Sequence, residues 1–227
     1  MGNMKHILIL SCDPGLEDVR KEYGHAIDWI QRDIDSSKFK FTSMDVYRGE
    51  IPNYDCGDAW IITGASASVY DDLDWIVELE HAIKRAIDVE KPILGICFGH
   101  QLIAQAFGGK VNKNKHGWEL GSYPMDEVAK HELFSGIEMT DYFYNSHQDV
   151  VTDLPNGFIE LANNKMGNQA FHYGKCVHGV QFHPEFTHDI MNKYVEVRQN
   201  MGANVIDPSI PKSNASHLII HNFLQII

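Results

Sequence analysis

Cys97 stands in Gly95-Ile96-Cys97-Phe98-Gly99, a G-x-C-x-G run. Far downstream, His183-Pro184-Glu185 sets an imidazole and a carboxylate two residues apart. In an extended segment residues i and i+2 share a face, and a proline keeps the residue before it extended. His183 and Glu185 are therefore expected on one side of the chain. A thiol nucleophile, a base and a group that orients the base form the minimum set for covalent acyl transfer. A buried structural cysteine beside a tight turn shares the local pattern of Cys97. The continuation Gly99-His100-Gln101-Leu102 lengthens the motif and favours the chemical reading.

A nucleophile of this kind needs a sharp strand-to-helix turn. The flanking pattern predicts one. Pro92-Ile93-Leu94-Gly95-Ile96 reads as a strand buried on both faces, and Phe98 to Phe107 as a helix stopped by Gly108-Gly109. A helix N-terminus presents unpaired N–H groups that favour an adjacent anion, and the Phe98 N–H can point at an oxyanion. Two further apolar runs, His6 to Leu10 and Ala59 to Thr63, read as buried strands. Apolar residues from Val19 to Ile34 recur at helical spacing, as do those from Trp75 to Ile87. This alternation predicts an α/β fold with a mostly parallel central sheet flanked by helices. The second half holds short strand candidates at 141–144, 158–162, 169–172 and 177–182, a smaller antiparallel element. Helical segments at 190–198 and 217–227 end the chain, the last packing on the body. With no repeat or linker, residues 1–227 read as a single domain.

The composition narrows the function classes. The chain has 227 residues and a formal net charge of −12, which argues against a nucleic-acid partner. No apolar run approaches the ~20 residues that span a bilayer, so no membrane partner is expected. The four cysteines form no C-x-x-C pair, and no signal-peptide anatomy precedes the first strand. A cytoplasmic protein with reduced thiols is the expectation. His172, His178, His183 and His188 match no metal-ligand spacing, so no metal and no other cofactor is expected. His178 and His188 read as structural or surface residues.

Together, Gly95-Ile96-Cys97-Phe98-Gly99-His100-Gln101 and His183-Pro184-Glu185 resemble the hallmarks of the class I, triad-type glutamine amidotransferase family, a flavodoxin-like α/β fold. The likeness runs from about Trp60 to about Phe186. It implies a small-molecule substrate, glutamine or another γ-glutamyl compound, attacked by Cys97 to give a γ-glutamyl thioester. His183 would move the proton, and Glu185 would orient His183. Thr63 to Val69 looks like the family's S-G-G-P-x-S-V loop. It implies an oxyanion hole built from the Phe98 N–H and an N–H at Gly64 or Ala65. Ala65 stands where a second glycine is usual, and a donor there requires a negative φ. Gln101 matches a substrate-contacting glutamine. Ser146-His147-Gln148-Asp149 resembles the S-H-G-D segment that binds the amino-acid end of glutamine, and Trp118 to Gly121 a strand beside the site.

Within the family the chain looks nearest to stand-alone relatives of the GMP synthase glutaminase domain. Residues 70–77 and 95–101 also look like plant-type γ-glutamyl peptidases. The chain has no G-x-x-x-x-G-K-[ST] phosphate loop, so any ammonia-using synthase is expected as a separate partner subunit. Four readings stay open. They are hydrolysis of glutamine, hydrolysis of γ-glutamyl peptides or conjugates, a cysteine-type α/β-hydrolase, and a non-catalytic binding module. In an α/β-hydrolase the acid precedes the histidine; here it follows by two residues.

Overall fold

The computed structural model describes residues 4–138, 140–204, 210–213 and 215–227. In chain order the elements are β1 (Lys5–Ser11), α1 (Glu17–Tyr23), α2 (Ala26–Ile30), β2 (Phe39–Asp45), β3 (Ala59–Ile62), α3 (Asp74–Asp88), β4 (Ile93–Ile96), α4 (Phe98–Ala106), β5 (Lys110–Lys113) and β6 (Glu119–Pro124). There follow β7 (Glu127–Val128), β8 (Tyr142–His147), β9 (Asp149–Asp153), β10 (Phe158–Asn164), β11 (Gly167–Tyr173), β12 (Val177–Val180), α5 (His188–Asn200) and α6 (Leu218–Ile226).

Eight strands form one sheet in the order β2-β1-β3-β4-β12-β11-β10-β7. From β2 through β12 the neighbours are parallel; from β12 to β7 they are antiparallel. Two small antiparallel pairs, β5-β9 and β6-β8, sit apart from it. The central strands β3, β4 and β12 are buried at every residue, as strands covered on both faces must be. One cover is α3, whose Ile76, Leu79, Ala82, Ile83 and Ala86 recur at helical spacing and are all buried. Another is α6. It buries Ile219, Ile220, Phe223 and Leu224, and its Asn222 amide donates to the Leu133 and Ser135 carbonyls at 2.9 Å each.

Two sequence expectations change. The helix predicted across 19–34 is broken in two, because Gly24 sits at φ 82° between α1 and α2. The strand predicted over 177–182 ends at Val180; the Gln181 N–H still bonds to β11, and the His183 N–H bonds to Tyr144 of β8. His178 is fully buried, as is His100. Burial pushes both imidazoles down to about 3, so they are neutral packing residues. His100 stacks on Phe171 with ring centroids 4.6 Å apart.

Candidate functional site

The order β3-β4-β12 sets three carboxyl ends side by side, where open α/β sheets bind ligands. Gly64 follows β3, Cys97 follows β4, and His183 lies three residues beyond β12. Backbone bonds lock the arrangement. The Cys97 N–H donates to the Val180 carbonyl at 2.9 Å, Thr63 to Leu10 at 3.0 Å, and His183 to Tyr144 at 2.7 Å.

Cys97 has φ 50° and ψ −100° and caps the N-terminus of α4. A side chain with a Cβ is strained there by ~1–3 kcal/mol. The turn lifts the thiol off the strand edge. It works only because Gly95 and Gly99 lack side chains. A Cβ on Gly95 would lie 2.5 Å from the Gly99 carbonyl carbon and oxygen, and one on Gly99 would lie 2.5 Å from the Ile62 carbonyl. Phe98, the first residue of α4, has no partner for its N–H one turn back, so that donor is left beside Cys97.

His183 reaches the same point from β12. Its Nδ1 lies 2.8 Å from Glu185 Oε1, and the two side chains are 8% and 3% exposed. Its ring stacks on Phe186 at 4.2 Å, and Phe186 rests against Trp29 and Tyr194. Burial alone would keep the imidazole neutral. Glu185, together with a hydrogen bond to Cys97, outweighs burial and pushes His183 up to about 10. The proton is thus held on the ring at neutral pH. A Cβ on Gly64 would lie 3.0 Å from His183 Cε1 and 3.6 Å from Cys97 Cβ, so this glycine lets the ring approach the thiol.

The loop after β3 is held at both ends. Asp13, just past β1, accepts from the Ser66 N–H at 3.0 Å and from the Gly15 N–H. Asp149 accepts from Ser68 Oγ at 2.6 Å and from the Tyr70 hydroxyl at 3.0 Å. Ala65 does not take a positive φ, so its Cβ brings no left-handed strain to this position.

A cavity of about 200 Å³ opens from Cys97 along Gln101, Ser146, His147, Gln148 and Asp149. The structure thus gathers every residue of the expected substrate-binding set around one cavity. Gln101 Nε2 donates to the Asp149 carbonyl at 3.0 Å and to Gln181 Oε1 at 3.1 Å. Ser146 Oγ is buried and has no partner among the described residues. His147 differs. Its Nε2 lies 2.9 Å from buried Glu119 and its Nδ1 lies 3.0 Å from the Asp149 carbonyl. Both ring nitrogens face groups of the protein, so His147 frames the cavity. Glu119 is held in turn by Asn164 at 2.6 Å and Gln169 at 2.9 Å.

Sequence reasoning missed Asp13, Arg198 and the coupling of Asp149 to the loop. Asp13 carried one signal, a carboxylate two residues past the end of a buried strand; such strand ends build sites. Among the described residues no group of three or more His, Cys, Asp or Glu is placed to hold a metal, and no helix is long and apolar enough to cross a membrane.

Comparison with known proteins identifies the family. Residues 24–199 match the family model of class I glutamine amidotransferases. The chain is 32% identical over 203 residues to γ-glutamyl peptidase 4 of Arabidopsis thaliana, covering 84% of this chain and 80% of that protein. It is 36% identical over 144 residues to the glutamine-hydrolysing GMP synthase of Clostridium novyi, covering 60% of this chain but 26% of that enzyme. A glutamine amidotransferase structure from Thermotoga maritima superposes on 99% of this chain and 92% of that one, with a TM-score of 0.71 and 23% identity. The chain belongs to the class I glutamine amidotransferase family.

Proposed function

We propose that the protein hydrolyses a γ-glutamyl amide bond through a thioester on Cys97, with glutamine as the default substrate. The observation that carries this is the convergence of Cys97, His183 and Glu185 at adjacent strand ends, beside a cavity of about 200 Å³. Cys97 Sγ, its proton transferred to His183, adds to the amide carbon. The carbonyl oxygen takes the negative charge, facing the N–H groups of Phe98 and of Ala65 or Gly64. The tetrahedral species collapses, the C–N bond breaks, and His183 gives its proton to the leaving nitrogen. Water then gives a proton to His183 and attacks the thioester, freeing glutamate and the thiol. Glu185 holds the ring throughout. Gln101, Ser146, Gln148 and Asp149 receive the amino-acid end.

Trapping tests this. Acid quenching during turnover of glutamine should leave a γ-glutamyl adduct on the Cys97 peptide. Absence of any adduct, together with no hydrolysis of any γ-glutamyl compound, would overturn the reading.

A second reading keeps the thioester and replaces ammonia by a larger amine, as in a γ-glutamyl peptidase. A second cavity beside His183 and Glu185 supports it, as does the resemblance to γ-glutamyl peptidase 4. The resemblance to GMP synthase supports instead a separate synthase subunit that takes up ammonia. All four cysteines are unpaired, which supports work in a reducing compartment such as the cytoplasm.

Asp13 is a positioning residue in this scheme. Its removal in Asp13→Ala frees the Ser66 N–H and the loop that carries the Ala65 donor. Loss of one oxyanion donor costs ~10²–10³ in kcat, and loosening one should cost about tenfold or more. The expected result is a fall in kcat with KM little changed. A rise in KM at constant kcat would instead place Asp13 in substrate binding.

A further inference from the structure

Cys97 lines two neighbouring cavities. The larger holds Gln101 and Asp149. The smaller, about 50 Å³, is lined by His183, Glu185, Leu16, Phe186 and Tyr194. His183 lines only the smaller of the two. In the thioester mechanism His183 protonates the leaving nitrogen, so the acyl chain occupies the first cavity and the leaving amine the second. A water-sized molecule needs only ~10–15 Å³. The second cavity therefore holds roughly three to five water-sized groups, more than ammonia alone fills.

Arg198 stands where the two cavities join and lines both. It comes from the last turn of α5 and lies over the Trp118 ring, 5.0 Å from its centroid. Its Nε is buried without a hydrogen-bond partner among the described residues. Among the described residues, the ion pairs within 4 Å do not include Arg198. Asp13, on the same cavity wall, already accepts two backbone N–H groups. A stacked guanidinium with open donors is preorganised for a carboxylate, which it can grip with two parallel bonds. The acyl end has its own cation, Lys113, which lines only the larger cavity.

We infer that the smaller cavity is a leaving-group subsite in which Arg198 binds the α-carboxylate of an amino acid joined through its amine to the γ-glutamyl group. Among substrates with a leaving group larger than ammonia, those with a free carboxylate beside the scissile bond are then preferred. Leu16 and Phe186 offer an apolar wall to the side chain. This rests on the Cys97 thioester reading. The covalent step is unchanged: the C–N bond breaks, and the free amino acid leaves with the proton from His183.

The test compares kcat/KM for γ-glutamyl-alanine and γ-glutamyl-alaninamide in the parent, Arg198→Met and Arg198→Lys, with glutamine assayed in parallel. The parent should prefer the free carboxylate by about tenfold or more. Arg198→Met should erase that preference, and Arg198→Lys should restore part of it. No carboxylate preference in the parent overturns the subsite. Equal losses on both compounds in Arg198→Met also overturn it, because Arg198 would then serve the acyl end. Cys97-dependent hydrolysis of glutamine without hydrolysis of γ-glutamyl-alanine overturns the subsite and leaves the thioester reading standing. Failure of all three compounds overturns both.

Discussion

Cys97→Ala should lower kcat for γ-glutamyl amide hydrolysis by ~10⁴–10⁶, and Cys97→Ala/His183→Ala should lower it no further. Residues that act as one unit are not additive: once the nucleophile is gone, its base has nothing left to activate. His183 sits against Glu185 at 2.8 Å and lines the same cavity as Cys97, the arrangement of such a unit. Steady-state ammonia release from glutamine, or amine release from a γ-glutamyl peptide, measures the effect. A double variant much slower than either single variant would show that the two residues act independently. The fold should survive. The strain at φ 50°, ψ −100° belongs to the backbone, and alanine carries it as cysteine does. Glycine does not. Relief of ~1–3 kcal/mol of strain exceeds the ~0.4–1 kcal/mol entropic cost of a glycine. Cys97→Gly should therefore melt above Cys97→Ala while remaining as inactive.

Gly95→Ala should cost at least about 3 kcal/mol of stability, the upper range for overpacking. The new Cβ would lie 2.5 Å from the Gly99 carbonyl and 2.7 Å from the His100 nitrogen. Both are backbone atoms of α4, which cannot rotate aside as a side chain could. The helix must move off β4, carrying with it Cys97 and the Phe98 donor. Gly99→Ala should behave alike, because its Cβ would meet the Ile62 carbonyl of β3. Gly108→Ala is the control. Its φ is 89° with nothing within 4 Å, so it pays only the left-handed penalty of ~1–2 kcal/mol. Urea unfolding ranks the three. A Gly95→Ala variant within 1 kcal/mol or so of the parent would mean that α4 is not seated tightly on β4.

The alternation of strands and helices in the first half was legible because buried parallel strands read as unbroken apolar runs, and α3 as a stripe of period 3.6. The strand β2 was not. It runs at the sheet edge, with no residue fully buried, so Phe39 to Asp45 carries no continuous apolar signal. The same weakness hides β5, which buries only Val111. The break at Gly24 was masked by apolar residues that keep helical spacing across it. Arg198 could not be singled out, since one more cation near a helix C-terminus is ordinary composition.

Cys97 between two glycines, and an imidazole two residues from a carboxylate, are local facts. Their chemistry follows from residue type and from steric limits that act within a few residues. Sequence patterning also settled the class of sheet, because period and burial are properties of single segments. Which strands become neighbours is not such a property. Only tertiary pairing put β12 beside β4 and β3 on its other side, which brought His183 and Gly64 to Cys97. Only the fold showed that Asp13 and Asp149 tie down the loop that carries Ala65, and that Ala65 does not take a positive φ. These contacts join residues tens of positions apart. Their formation depends on the packing of whole elements, which no periodicity along the chain records.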